Sequence, residues 1–182
     1  METERLILRH WQESDVEALY ELAKDEHVGP DCGWNPHKDI AESEFVLKNI
    51  LMKEGTFAIV LKDTGNVIGN ISIFKSEYAD NDNQAEIGFW LGYPYWNKGY
   101  MSEACRYLLN YCFNEFKLEK IWCVHFDYNH KSARVQKKCG FRYHHTDYHH
   151  YIELIDKTFV AIVNCMTSEE WKHELMSDLH NI

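Results

Sequence analysis

Ala85-Glu86-Ile87-Gly88-Phe89-Trp90-Leu91, followed after Gly92-Tyr93-Pro94 by Tyr95-Trp96-Asn97-Lys98-Gly99-Tyr100-Met101, is the stretch on which the reading of this chain turns. The first string places Ala85, Ile87, Phe89 and Leu91 on one face of a strand and Glu86, Gly88 and Trp90 on the other. The second string contains a glycine and leads into a new periodicity. From Met101 to Phe116 the apolar positions Met101, Cys105, Leu108, Leu109, Cys112 and Phe113 recur at three- and four-residue steps, the mark of an amphipathic helix. Ile121 to Asp127 then reads as a strand. A strand, a helix and a strand in that order imply a parallel pair joined by a crossover helix.

Upstream, Ser14 with Glu17 and Asp39 with Glu42 have capping-box spacing and precede apolar residues at helical intervals, so each opens a helix. Between them Gly29-Pro30-Asp31-Cys32-Gly33-Trp34-Asn35-Pro36-His37 is read as a loop over a pocket, since its Gly and Pro forbid regular structure. Phe57–Leu61 and Val67–Phe74 form a hairpin around Asp63-Thr64-Gly65-Asn66. Downstream, Ser132 to Cys139 reads as a short helix stopped by Gly140. Two strands near 141–154 and 158–166 turn at Ile155-Asp156-Lys157, and Thr167 with Glu170 caps a final helix. The flanking strands arrive as hairpins, so the expectation is a mixed sheet with helices, in a single domain spanning 1–182.

Composition narrows the function. The 182 residues carry 19 Lys+Arg against 29 Asp+Glu, a formal net charge of −10, which disfavours a broad electrostatic hold on nucleic acid and suits an amine-bearing partner or plain solubility. The N-terminal METERLILRHW mixes charges with apolar residues and no run is long enough to span a membrane, so a cytoplasmic protein is expected. The 6 cysteines include no C-x-x-C pair, and four sit in apolar periodic segments, as reduced core-filling thiols do.

A strand, a glycine-containing turn and a helix N-terminus present unpaired N–H groups and the positive end of a helix dipole, which suits phosphate. The turn is neither the dinucleotide fingerprint nor a Walker A loop, and a plain βα connection is the alternative.

Taken together, the element order and the local strings resemble the GNAT superfamily of acyl-CoA N-acyltransferases, and within it the ribosomal-protein-alanine N-acetyltransferase (RimJ/RimL-type) subgroup. Thr3 to Arg9 is similar to that subgroup's opening strand, Ala85 to Leu91 to its central strand, and Tyr95 to Ala104 to its pyrophosphate loop. Asn129 to Phe141 is similar to its second CoA motif, and Thr167 to Trp171 to its closing helix. The resemblance implies an α/β fold of the mixed α+β kind, with a mostly antiparallel sheet whose central parallel pair splays to admit the pantetheine arm. It implies acetyl-CoA as cosubstrate, held by the backbone of Asn97, Lys98, Gly99, Tyr100, Met101 and Ser102 and by Leu91 and Asn129. The implied acceptor is a primary amine: a protein N-terminus, or a small amine such as a polyamine, an amino-sugar antibiotic or an amino acid. A non-catalytic acyl-CoA-binding module is the alternative and has the same strings; in either case a monomer or homodimer is expected. The chain departs from the pattern at Trp96, at Met101, whose bulk falls close to the phosphates, and at Gln136, which stands where many members have a tyrosine that protonates the thiolate. Gln cannot do so, and the subgroup's Asn-x-x-Ser motif offers Ser132 instead.

Acyl transfer needs a neutral amine, a polarised thioester and help for the departing thiolate. Glu86, on the central strand near the splay, is the candidate base, acting through water; a carboxylate exposed or ion-paired on the sheet face is the alternative. In His144-His145-Thr146-Asp147-Tyr148-His149-His150-Tyr151 strand alternation sends at most two histidines and one carboxylate to either face, which argues against a metal; the resemblance implies that this region lies beside the acceptor mouth, so substrate contact is expected there. Trp34 and His37 are further candidates for acceptor contact, with core packing as the alternative for Trp34.

Overall fold

A computed structural model describes residues 1–179, with side chains through 176. Seven strands form one sheet in the order β1-β2-β3-β4-β5-β7-β6: β1 Leu6–Arg9, β2 Thr56–Leu61, β3 Val67–Phe74, β4 Gln84–Leu91, β5 Lys120–Phe126, β6 Arg142–Ile152 and β7 Lys157–Thr167. The helices are α1 Val16–Ala23, α2 Ile40–Val46, α3 Tyr100–Asn114, α4 His130–Lys138 and α5 Ser168–Leu179. Every neighbouring pair is antiparallel except β4 with β5, so the mixed sheet with one central parallel pair is as expected.

The crossover helix α3 buries the predicted stripe, Met101, Cys105, Leu108, Leu109, Cys112 and Phe113, against Ile87 of β4, Ile121 and Cys123 of β5 and Met166 of β7. Met101 is 5% exposed, so most of its bulk is packed in this core. A second cluster on the other face of the sheet joins Leu19 and Leu22 of α1 to Leu47, Leu51, Ala58 and Val60. All six cysteines are free thiols, and Cys105, Cys112, Cys123 and Cys139 are core residues. No helix among the described residues is long and apolar enough to cross a membrane.

Helix ends follow side-chain chemistry, with one correction. Asp39 accepts from the Glu42 amide at 2.8 Å, and Thr167 and Glu170 cap α5 reciprocally, as their spacing predicts. At α1 the pair is Gln12 and Asp15 rather than Ser14 and Glu17. The Asp15 carboxylate accepts from the Gln12 amide at 2.9 Å, and Arg9 grips it through both Nη atoms, an anchor the exposed Ser14 lacks. The preceding turn is therefore a short 3-10 segment, Glu13–Asp15.

β6 departs from strict alternation. Its register against β7 shifts between Tyr143 and His145 and again between Asp147 and His150. Each bulge adds a residue and reverses which face the next side chain takes. Asp147 and His150, expected on opposite faces, consequently both meet the Tyr78 hydroxyl at 3.2 Å.

Candidate active site

The parallel pairing of β4 with β5 is short: Gln84↔Lys120, Ala85↔Ile121 and Glu86↔Trp122. Beyond Glu86, β4 keeps its partner β3 through Leu91 and β5 keeps β7 through Phe126, while the two strands leave each other. The sheet splays at its centre. The gap is a cavity of about 590 Å³ lined by Glu86, Gly88, Leu91, His125, Ser132 and the turn into α3, among others.

One end of the cavity gathers free backbone donors and cationic side chains. Asn97 and Gly99 have φ of 61° and 82°, left-handed values that bend the turn so that α3 starts at Tyr100. The first hydrogen bond onto the helix runs from the Glu103 amide to the Gly99 carbonyl at 3.1 Å, which leaves the amides of Tyr100, Met101 and Ser102 as the free donors of the first turn. Gly99, Tyr100, Met101 and Ser102 line the cavity, as do Lys131, Arg134 and Lys138 of α4. The cationic positions repeat at three- and four-residue steps, so they share one helical face. Lys98 lies over the Tyr95 ring at 5.7 Å, and its carbonyl accepts from Arg5 Nη1 at 3.0 Å.

At the splay itself, Glu86 accepts from the Ser76 hydroxyl at 2.8 Å. Burial pushes its carboxyl up to about 7, against the lowering effect of that hydrogen bond and with a small upward push from Glu77. A carboxyl near neutrality can take a proton and give it up at physiological pH. Farther along β5, His125 also lines the cavity, and burial lowers its imidazole from the ordinary value. His125 gives a signal in sequence, a histidine inside the apolar run Ile121–Phe126, which the strand reading passed over.

Asn129 and Ser132 are both at the start of α4 and both line the cavity. Asn129 caps the helix by accepting from the Ser132 amide at 3.0 Å, and it donates to the Asp31 carbonyl at 3.0 Å. Lys131 reaches the Asp31 carboxylate at 2.8 Å and the Tyr128 hydroxyl donates to the Pro30 carbonyl at 3.1 Å. These contacts tie the 29–32 segment to α4 across the cavity, where Asp31 and Cys32 form part of its wall. The Leu91 carbonyl already accepts from the Trp96 indole at 2.8 Å.

Trp34 and His37 are not brought into the cavity wall. Trp34 packs edge-on against Trp90, itself a residue of the cavity wall, and His37 is buried with its Nδ1 2.8 Å from the Ser43 hydroxyl. Of the histidine run only His150 borders the cavity, beside Glu77 at 3.4 Å, while His144 and His145 contact each other. Arg5 escapes a sequence reading altogether, because its partners Lys98 and Glu103 lie more than ninety residues away.

Three comparisons bear on this geometry. A family model described as an acetyltransferase (GNAT) domain matches residues 5–142. A Bacillus subtilis (strain 168) protein, uncharacterized N-acetyltransferase YnaD, is 34% identical over 143 residues, covering 77% of this chain and 81% of its own. The crystal structure of a GNAT-family acetyltransferase from Bacillus anthracis matches with a TM-score of 0.81 and 25% identity over 93% of this chain and 98% of that one. AAC(6')-Ib in complex with ribostamycin and coenzyme A matches with a TM-score of 0.74 and 19% identity over 93% and 97%, a likeness of fold.

Proposed function

The chain belongs to the GNAT acetyltransferase family, and from that premise we propose that it transfers the acetyl group of acetyl-CoA to the α-amine of a protein or peptide N-terminus. The feature that supports this reading is Glu86, a half-buried carboxyl pushed up to about 7 and placed where β4 and β5 part. An α-amino group has a pKa of about 8, so a proton passes from it to Glu86 nearly level in energy, whereas an alkyl ammonium near about 10.4 is uphill by roughly three units. The pairing therefore favours an α-amine over a lysine or polyamine.

The cavity fits acetyl-CoA. The free amides of Tyr100, Met101 and Ser102 and the cations Lys131, Arg134 and Lys138 would hold its phosphates, and the bound thioester supplies the acetyl group. Gly99 keeps the turn in the conformation that exposes those amides. Glu86 takes the amine proton through a water, and the Ser132 hydroxyl faces the departing sulfur. Six unpaired thiols, four of them buried, support a reducing, cytoplasmic setting.

The test is release of CoA from acetyl-CoA with a panel of N-terminal peptides, lysine side-chain peptides, polyamines, amino sugars and free amino acids. Turnover with N-terminal peptides supports the reading. Turnover confined to small amines overturns the acceptor, and binding of acetyl-CoA with no turnover by any amine overturns the catalysis.

A further inference from the structure

Gln136 stands one helical turn after Ser132 on α4 and is 1% exposed. Its Nε2 points at the Val124 carbonyl and at the Ser132 Oγ, each at 3.2 Å. Its Oε1 receives a hydrogen from Asn164 Nδ2 at 2.7 Å, with His125 Nδ1 3.3 Å away. The direction of this amide is dictated by its neighbours. The Val124 carbonyl can only accept, so nitrogen must face it, which turns the oxygen toward Asn164 and has that amide donate through its nitrogen.

With both ends fixed, the second hydrogen of Nε2 falls on the Ser132 oxygen. A serine hydroxyl has one hydrogen and can accept at its lone pairs. Once it accepts from Gln136, its own hydrogen must be directed elsewhere. Among the described residues no protein acceptor takes that hydrogen, and Ser132 is part of the cavity wall.

Resting on the acetyl-transfer reading above, we propose that Gln136 is a positioning residue that turns the Ser132 hydroxyl into a fixed hydrogen-bond donor to the sulfur leaving the thioester. In the step it serves, the amine nitrogen forms the new N–C bond and the C–S electron pair departs on sulfur. The proton shed by the amine passes through water to the Glu86 carboxylate. Ser132 keeps its proton and stabilises the thiolate by donating to it, so no phenol is required. A glutamine at 136 does not replace an acid: it directs a neighbouring hydroxyl.

The amide also accounts for why a free hydroxyl would do less. An unconstrained serine can spend its hydrogen on a backbone carbonyl of its own helix, a common alternative for serine within helices. An amide hydrogen held on the oxygen makes the outward orientation the one that leaves every partner satisfied, and a preorganised donor needs no rearrangement during the reaction.

The experiment is a cycle of Ser132→Ala with Gln136→Met and, separately, with Gln136→Glu, reading kcat, KM for acetyl-CoA and melting temperature. A carboxyl at 136 has at most one hydrogen to give where the amide has two, and the Val124 carbonyl claims it, so Gln136→Glu also leaves Ser132 undirected in a side chain of nearly the same shape. The expected result is a loss in kcat of about tenfold or more for each single variant, KM within about twofold, and less than about twofold further loss when a Gln136 variant is added to Ser132→Ala. Equal losses in both backgrounds mean that Gln136 only supports the fold and overturn the inference, as does full kcat in Ser132→Ala or in a folded Gln136 variant. A wild-type protein that releases no CoA with any amine overturns the acetyl-transfer reading, and the inference falls with it.

Discussion

The Ser76 hydroxyl donates to Glu86 Oε2 at 2.8 Å, a hydrogen bond that holds the Glu86 carboxyl down while burial drives it up to about 7. Removing it leaves burial unopposed. Ser76→Ala is therefore expected to move the acidic limb of the kcat/KM profile to higher pH by up to about one unit, with the plateau nearly unchanged. A profile identical to wild type in a folded Ser76→Ala would show that Glu86 does not set that limb.

Glu86→Gln separates chemistry from stability. At pH 7 the loss of a general base is expected to cost about 10²-fold or more in kcat, shrinking toward pH 9 as the amine loses its proton unaided. Stability moves the other way. The folded carboxyl holds its proton up to about 7 and the unfolded one releases it near 4.5, so between these values the native state binds more protons and stability falls as pH rises. The window amounts to on the order of 3 kcal/mol. Thermal unfolding should show wild type losing more melting temperature than Glu86→Gln between pH 5 and pH 8, and a parallel decline in both would refute the assignment.

Arg5 acts at a distance from the wedge. It donates through Nε to Glu103 Oε2 at 2.7 Å and through Nη1 to the Lys98 carbonyl, and its guanidinium lies 4.6 Å from the centre of the Tyr100 ring. These three contacts hold the turn that exposes the first-turn amides of α3. Arg5→Leu is expected to raise KM for acetyl-CoA several-fold, with kcat within about twofold, while the half-exposed ion pair itself is worth only about 0–1 kcal/mol of stability. A large fall in kcat at unchanged KM would contradict this role.

Gly99 has φ of 82°, a conformation that penalises β-branched residues. A Cβ there would also sit 3.4 Å from Arg5 Nη2. Wild type is expected to gain roughly 2.7 kcal/mol from acetyl-CoA at a hundredfold excess over Kd. Gly99→Val should lose most of the corresponding thermal shift. A full shift in that variant would place the phosphates elsewhere.

The elements were legible wherever one periodicity ran uninterrupted. The stripe Met101 to Phe113 repeats at helical steps and the string Ala85 to Leu91 alternates, so α3, β4 and their parallel partner followed directly. The misreadings share a cause: each depends on a contact that local spacing does not contain. Gln12 and Asp15 displace Ser14 and Glu17 because Arg9 grips Asp15, and the β6 faces are exchanged by bulges set by its pairing with β7. At the site, Glu86 was visible as a carboxylate on an apolar strand. Of the groups around it, Gln136 stood out by its position and His125 by the apolar run it interrupts, whereas Arg5 gave no signal, and the hydrogen bonds of all three join partners that only the folded sheet brings together.

The shortness of the seam between β4 and β5 also has a mechanical meaning. β1 to β4 pair with their neighbours in chain order, and β5, β6 and β7 form a second antiparallel group, so the sheet is two hydrogen-bonded panels stitched by the three residue pairs from 84↔120 to 86↔122. On one face α3 and its core span both panels and act as the spine of a half-open book. A molecule lodged between the pages touches both, so its binding is registered as stiffness across the spine. Because the pages have few stitches of their own, an occupant of the wedge would add contacts across the seam that only those stitches and the α3 core now make.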